Sequence, residues 1–148
     1  MAIIHLQPKE VAAFWDGIKL AMVRSNQIPD EHYQAYVNHM LEMLLSGKLT
    51  AWVVFDYVTD NSKEVHALAV TSIQEDLVFG YKYVYVEALY GIRKVSDQQA
   101  LDSVEAIKTY ARNTGCKYIR SVTDSDRVKH IATIMGFSEF AIAYSLEV

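Results

Sequence analysis

The final third of the chain alternates strand and helix patterns, and this order constrains the fold more than any other feature of the sequence. An aromatic and apolar run at Tyr81–Leu89 predicts a strand, and a helix is predicted at Asp97–Asn113. A second strand follows at Lys117–Val122. A short helix then leads to a Gly-Phe pair, and the alternating residues of Phe140–Val148 predict a closing strand. This alternation predicts a mixed α/β domain.

The first eighty residues predict the remaining elements. Ile3–Leu6 is a short strand, and two helices with an apolar stripe at helical spacing follow it. Strands at Leu49–Val58 and Val65–Ile73 flank a polar turn. The stripes consist of Val11, Phe14, Trp15, Ile18 and Met22, and of Tyr33, Tyr36, Val37, Met40, Leu41, Leu44 and Leu45. We expect one domain over residues 1–148, in the order β-α-α-β-β-β-α-β-α-β, with a central mixed sheet flanked by helices.

Composition excludes several classes of function. Of the 148 residues, 51% are hydrophobic and 22% charged, so disorder is not expected. The net charge of −4 argues against general nucleic-acid binding. Cys116 is the only cysteine, and His32 and His39 are seven residues apart, so no disulfide and no metal site is predicted. No apolar run is long enough to span a bilayer, and we expect a cytoplasmic protein without a membrane partner.

The element order resembles the GNAT superfamily of acyl-CoA N-acyltransferases. The resemblance extends over nearly the whole chain, from the first strand to the Gly136-Phe137 pair and the closing strand. It implies that a central strand splays from its neighbour and that the pantetheine arm of acetyl-CoA lies in the gap. It also implies that the pyrophosphate binds to backbone N–H groups where the next helix starts, a place that attracts anions.

The family's phosphate loop reads Gln or Arg, two residues, Gly, one residue, then Gly or Ala. Counting back from the helix end places this loop at residues 95–100, where only the last position matches. The resemblance therefore implies cofactor-binding positions at Arg93, Lys94, Ser96, Gln98, Gln99 and Ala100. Gln98 replaces a glycine, and Asp97 adds a negative charge at the anion site. Ser96 is also the expected N-cap of the helix, with Gln99 as its capping-box partner.

The catalytic positions match the family in part. Many members have a tyrosine four residues before the glycine of the Gly-Phe pair to protonate the leaving thiolate, and here that position is Ala132. His130 is one of the few polar neighbours, displaced from that position. Glu87 lies where some members carry a catalytic glutamate, and a carboxylate there could relay a proton through water. Strand alternation predicts that Tyr83, Tyr85, Glu87 and Leu89 share one face, and Val84, Val86 and Ala88 the other.

Two interpretations remain open at this point. The first is a GNAT-fold protein with a degenerate acyl-CoA site that acts as a non-catalytic binding or assembly protein. Its tyrosine-rich surface would then contact a protein partner or a second copy. The pattern of His5, Leu6, Trp15, Asp16 and Trp52 also resembles GNAT-like proteins of tailed bacteriophages, which implies a virion-associated role. The second is a divergent N-acetyltransferase that uses acetyl-CoA and acts on an amine of a small molecule or protein.

Overall fold

A computed structural model describes residues 2–123 and 125–148. The described residues form four helices and five strands, and a single 3₁₀ turn precedes each of the first two helices. In chain order they are β1 (Ala2–His5), α1 (Val11–Asn26), α2 (Tyr33–Leu45), β2 (Leu49–Thr59), β3 (Ser62–Glu75), β4 (Lys82–Gly91), α3 (Asp97–Asn113), β5 (Cys116–Ser121) and α4 (Asp126–Ile134). The predicted order is therefore confirmed from the first strand to the fourth helix.

The five strands form one mixed sheet in the order β1-β2-β3-β4-β5. The first four pair antiparallel with their neighbours. The β4–β5 pair is parallel, because α3 carries the chain back across the sheet between them. The polar turn predicted between Leu49–Val58 and Val65–Ile73 closes the β2–β3 hairpin, with Thr59 opposite Ser62.

Helices cover both faces of the sheet, and each face has its own apolar cluster. On one face α1 and α2 contribute fully buried residues such as Ile18 and Leu44, which pack with Leu68 and Val70 of β3. On the other face Ile107 and Ala111 of α3 pack against Trp52. The predicted helical stripes therefore face the core, except for Leu45 at the end of α2, which is 53% exposed. None of the helices in the described residues has the length and apolar character needed to cross a bilayer.

The closing strand predicted at Phe140–Val148 is not formed. Residues 138–148 have no regular secondary structure, and the side chains of Phe140, Ile142, Tyr144, Leu146 and Val148 are exposed. Alternating apolar residues favour an extended chain, but a strand exists only where a second backbone satisfies its N–H and C=O groups. This segment has no such partner among the described residues of its own chain.

Candidate functional site

A β-bulge places Glu87 in the middle of β4. On the neighbouring strand β3, Val70 lies opposite Ala88 and Thr71 lies opposite Val86, which leaves Glu87 as the extra residue. A bulge of this kind bends the strand and redirects the side chains that follow it. It is a common device where a strand must aim a functional group out of the regular ladder.

The bulge also corrects the predicted division of β4 into two faces. Tyr83, Tyr85 and Glu87 face the α1–α2 side, as their hydrogen bonds and register show. Ala88 packs into the α1–α2 cluster, whereas Val84 packs into the α3 cluster. The prediction that Ala88 shares a face with Val84 and Val86, and Leu89 with Glu87, is wrong because the extra residue reverses the alternation beyond it.

A chain of polar side chains holds the Glu87 carboxylate. Its Oε1 accepts hydrogen bonds from Ser72 Oγ at 2.8 Å and from Gln74 Nε2 at 3.4 Å. Gln74 in turn accepts a hydrogen bond from the Tyr83 hydroxyl at 3.1 Å. These contacts leave the second carboxylate oxygen of Glu87 available to a water molecule or an amine. The arrangement is that of a positioned proton acceptor.

The charge of Glu87 also acts on two phenols, Tyr85 and Tyr36. Burial raises the pKa of Tyr85, and the negative charge of Glu87 adds to the effect. The pKa of Tyr36, on α2, is also raised chiefly by burial; a hydrogen bond from Asn26 partly offsets this, and Glu87 raises it further. Both phenols therefore stay protonated at neutral pH and keep an O–H group that can donate a hydrogen bond.

The sheet opens beside Glu87. Pairing between β4 and β5 runs from Lys82 opposite Cys116 to Val86 opposite Ser121, where β5 ends. β4 continues to Gly91, so among the described residues its last five have no strand partner on that side. The resemblance implies that the pantetheine arm lies beside this strand, and that placement stays a prediction.

The loop and first turn of α3 follow the gap, and the capping box predicted there is confirmed. Ser96 Oγ accepts a hydrogen bond from the Gln99 backbone N–H at 3.1 Å, and the Gln99 side chain accepts one from the Ser96 N–H at 3.0 Å. One of the N–H groups that a phosphate would use is therefore already satisfied by the protein. Asp97 occupies the first helical position.

Two other residues of the predicted cofactor loop, Gln98 and Arg93, also have partners within the protein. Gln98 donates to Asp102 at 2.8 Å, one turn further along α3. Arg93 Nε forms an ion pair with Glu64 at 3.0 Å, although its side chain is still 60% exposed. Ala100 is buried. Lys94 is exposed and has no hydrogen bond or ion pair with another described residue.

The predicted site residues thus fall into two groups. The loop residues 93–100 lie together at the start of α3, and Glu87 belongs to a separate hydrogen-bond network on β3 and β4. Sequence reasoning missed Tyr36, Ser72 and Gln74, which three-dimensional pairing brings to Glu87. The alternating polar residues at 72 and 74, which follow the apolar run of residues 67–70 on β3, were the available signal.

The short helix α4 supplies no acid at the expected position. Ala132 is half-buried, and its carbonyl accepts the backbone N–H of Phe137 at 2.9 Å. His130 is exposed and takes no part in the Glu87 network. Among the described residues, no group of three or more His, Cys, Asp or Glu side chains is arranged to hold a metal ion.

Comparison with solved structures identifies the architecture. A probable acetyltransferase matches 100% of this chain and 98% of its own length, with a TM-score of 0.76 and 12% identity. A predicted acetyltransferase of Clostridium acetobutylicum, solved with acetyl-CoA, matches over 99% and 95% with a TM-score of 0.73 and 12% identity. An aminoglycoside N-acetyltransferase in complex with CoA matches over 99% and 93%, with a TM-score of 0.67 and 16% identity.

No protein-family model matches the chain, and no curated protein matches its sequence. The structural likenesses cover the whole chain at low identity, so they concern the fold alone. The chain has the GNAT acetyltransferase fold, as its element order predicted.

Proposed function

We propose that this GNAT-fold protein has a degenerate acyl-CoA site and acts as a non-catalytic binding or assembly protein. The observation that carries the proposal is the first turn of α3. An anion site is favoured by free N–H donors and by the absence of negative charge, whereas in this turn the Ser96 side chain occupies the Gln99 N–H and Asp97 adds a negative charge. A fold can persist after its original site is lost, so the architecture alone does not argue against this function.

Two further features support the degenerate site. Arg93, the nearest guanidinium, is paired with Glu64, so it must leave this carboxylate before it can bind a pyrophosphate. An exposed pair of this kind costs only about 0–1 kcal/mol to break, so it weakens binding rather than preventing it. Ala132 also lacks an ionisable group at the position where the family has its acid.

A second function, divergent amine acetylation with acetyl-CoA as the acyl donor, is favoured by the Glu87 network beside the open end of the sheet. In this case Glu87 would take a proton from the acceptor ammonium, directly or through water, so that the neutral amine can attack the thioester carbonyl. Tyr85 or Tyr36 would protonate the departing thiolate in place of the missing acid. Arg93, Lys94 and the backbone of residues 96–100 would hold the pyrophosphate.

Titration with acetyl-CoA distinguishes the two functions. A ligand present at 100 times its Kd stabilises the folded state by about 2.7 kcal/mol, which for a chain of this size raises Tm by roughly 5–10 °C. The first proposal predicts no shift and no calorimetric heat at millimolar acetyl-CoA. Binding at micromolar Kd that is lost in Arg93→Ala/Lys94→Ala but retained in the control Lys48→Ala would refute it.

Turnover provides an independent criterion for the second function. With a panel of primary amines and acetyl-CoA, thiol release should fall at least 10-fold in Glu87→Gln. The matched control Glu75→Gln, an exposed carboxylate at the end of β3, should keep the wild-type rate. Equal rates in both variants would remove Glu87 from the reaction.

A virion-associated role is the more specific form of the first proposal. It rests on the sequence resemblance to phage proteins described above. Neighbouring capsid or portal genes, and recovery of the protein in purified particles, would support it. A gene surrounded by metabolic enzymes would contradict it.

A further inference from the structure

A second β-bulge, in β3, places His66 beside the loop that leads to α3. The pairing of β2 with β3 shifts between Val54 and Phe55, and His66 is the extra residue of β3 at this point. The His66 carbonyl accepts the backbone N–H groups of Ile92 at 2.9 Å and Arg93 at 3.1 Å, so it anchors the start of the loop. Its side chain is only 15% exposed.

The two nitrogens of the His66 ring have different neighbours. Nε2 lies 3.2 Å from Glu64 Oε1, on the same strand, and 3.6 Å from Asp56 Oδ2, on β2. The Arg93 guanidinium pairs with the same Glu64 oxygen at 3.0 Å. Nδ1 lies 3.4 Å from Gln99 Nε2, in the first turn of α3. The carboxylates attract positive charge to the ring, whereas Gln99 decides whether Nδ1 can carry a proton.

The orientation of the Gln99 amide is fixed by two groups other than the histidine. The Ser96 N–H can only donate, and it bonds to Gln99 Oε1 at 3.0 Å. The ionised Asp56 carboxylate can only accept, and it takes a hydrogen bond from Gln99 Nε2 at 3.4 Å. Nε2 therefore presents its second hydrogen to His66 Nδ1, which must act as an acceptor. The network requires a neutral ring with its proton on Nε2, where it can donate to Glu64.

A proton on Nδ1 is incompatible with this arrangement. It would place an N–H of the ring against the amide NH₂ of Gln99, a donor against a donor, although the charged ring gains attraction from Glu64 and Asp56. The conflict is relieved when the Gln99 amide turns its oxygen to the ring or moves away. Either movement takes the oxygen from the Ser96 N–H, so one half of the capping box opens.

We propose that His66 is a pH-sensitive switch that controls the cap of α3. The neutral ring accepts from Gln99 and keeps the capping box closed, and the protonated ring displaces Gln99 from Ser96 and opens it. Histidine ordinarily changes charge between about pH 5 and pH 8, a range in which carboxylates stay ionised and arginine stays protonated. α3 contacts the ring through the neutral Gln99, and the charged groups that face it from β2, β3 and the loop are Asp56, Glu64 and Arg93.

Nuclear magnetic resonance on the full chain tests the switch, without any ligand and independently of acetyl-CoA binding. At about pH 8 the ¹⁵N shifts of the His66 ring should show a bare Nδ1 and a protonated Nε2. As the ring gains its proton towards about pH 5.5, the protection of the Ser96 N–H against hydrogen exchange should fall roughly 5-fold, the net value of one ordinary hydrogen bond. A proton on Nδ1 at the higher pH, or a Ser96 protection that stays constant while the ring titrates, would overturn the proposal.

Two variants separate the switch from a direct effect of the ring's charge. Gln99→Glu still accepts from the Ser96 N–H, because glutamate also completes a capping box, but it now presents an acceptor to Nδ1. The protection of Ser96 should then no longer change as His66 titrates. The control His130→Asn removes an exposed histidine of α4 and should keep the wild-type change. A change that persists in Gln99→Glu, or that disappears in His130→Asn, would refute the coupling through Gln99.

Discussion

The hydrogen bond between Trp52 and Thr71 should stabilise the protein and hold the strand register beside Glu87. Trp52 Nε1 donates to Thr71 Oγ1 at 2.9 Å, and both residues are at most 2% exposed. Thr71 lies directly opposite Val86, the last β4 residue before the bulge. Replacing Thr71 by valine keeps the shape of the side chain and removes the acceptor.

The magnitude follows from burial. Thr71→Val leaves the indole N–H buried without a partner, which costs about 1–3 kcal/mol, the range for an unsatisfied buried donor. For a chain of this size each kcal/mol lowers Tm by about 2–4 °C, so a decrease of roughly 2–12 °C is expected. Thr71→Ser keeps the hydroxyl and removes one buried methyl group, which costs about 1 kcal/mol and serves as the control.

A double-mutant cycle isolates the interaction. In a Trp52→Phe background the Thr71 hydroxyl has already lost its donor, so Thr71→Val should be neutral or stabilising there. Urea denaturation of the four proteins should yield a coupling energy of about 1–3 kcal/mol. If Thr71→Val destabilises both backgrounds equally, the hydrogen bond contributes nothing, and the valine acts through altered packing.

Three other predictions concern the loops and the candidate site. Asp76 accepts hydrogen bonds from backbone N–H groups, chiefly that of Phe79, and these lower its pKa below the usual 3.8. The ionised carboxylate therefore stabilises the fold above pH 3.8, and this stabilisation is lost as the pH falls through the lower pKa of the folded state. Wild type and Asp76→Asn should differ in Tm at about pH 6 and converge towards about pH 2, and a Tm difference that stays constant with pH would contradict this. Glu87→Gln should lower the pKa of Tyr85, because it removes the negative charge that adds to the effect of burial in raising this pKa. Ultraviolet titration measures it, and the Tyr85→Phe variants of wild type and of Glu87→Gln identify the signal of Tyr85. An unchanged pKa would exclude the charge effect. Ser96→Ala should cost about 1 kcal/mol in urea denaturation, and an unchanged midpoint would exclude a stabilising cap.

The helices and strands that the structure contains could be predicted from the sequence, because each has its own periodic pattern of apolar residues. The apolar stripe from Val11 to Met22 lies within α1, and the Ser96 cap lies at the start of α3. Each can be recognised without knowing which other element packs against the helix. The bulge at Glu87 could not be predicted in this way, because it is defined by which β3 residue lies opposite. The same reason explains the missing closing strand, since alternation describes one strand and a sheet requires two.

The candidate site was only partly predictable because it joins elements distant in sequence. Glu87 was identified through the family resemblance, and Ser72 and Gln74 reach it through the β3–β4 register. Tyr36, on α2, is linked to Glu87 only through the carboxylate charge, which adds to the effect of burial in raising the pKa of its phenol. Neither relation is encoded in local periodicity. The loop at residues 93–100, in contrast, is continuous in sequence and could be located from the sequence alone.

The fold and the anion loop are energetically separate, and this explains how one can persist without the other. Both apolar clusters draw on the sheet, and α3 contributes to one of them through Ile107 and Ala111, about three and four turns beyond its capped end. In the described residues neither cluster includes a member of the loop at 93–98. Substitutions there change what the helix terminus can bind while costing only the value of a cap or an exposed ion pair, about 1 kcal/mol each. Glu87, in contrast, lies on strands held by both clusters, so its position persists for as long as the fold does. Similarity to acetyltransferases at low identity therefore reports the fold, and only direct binding of acetyl-CoA reports the loop.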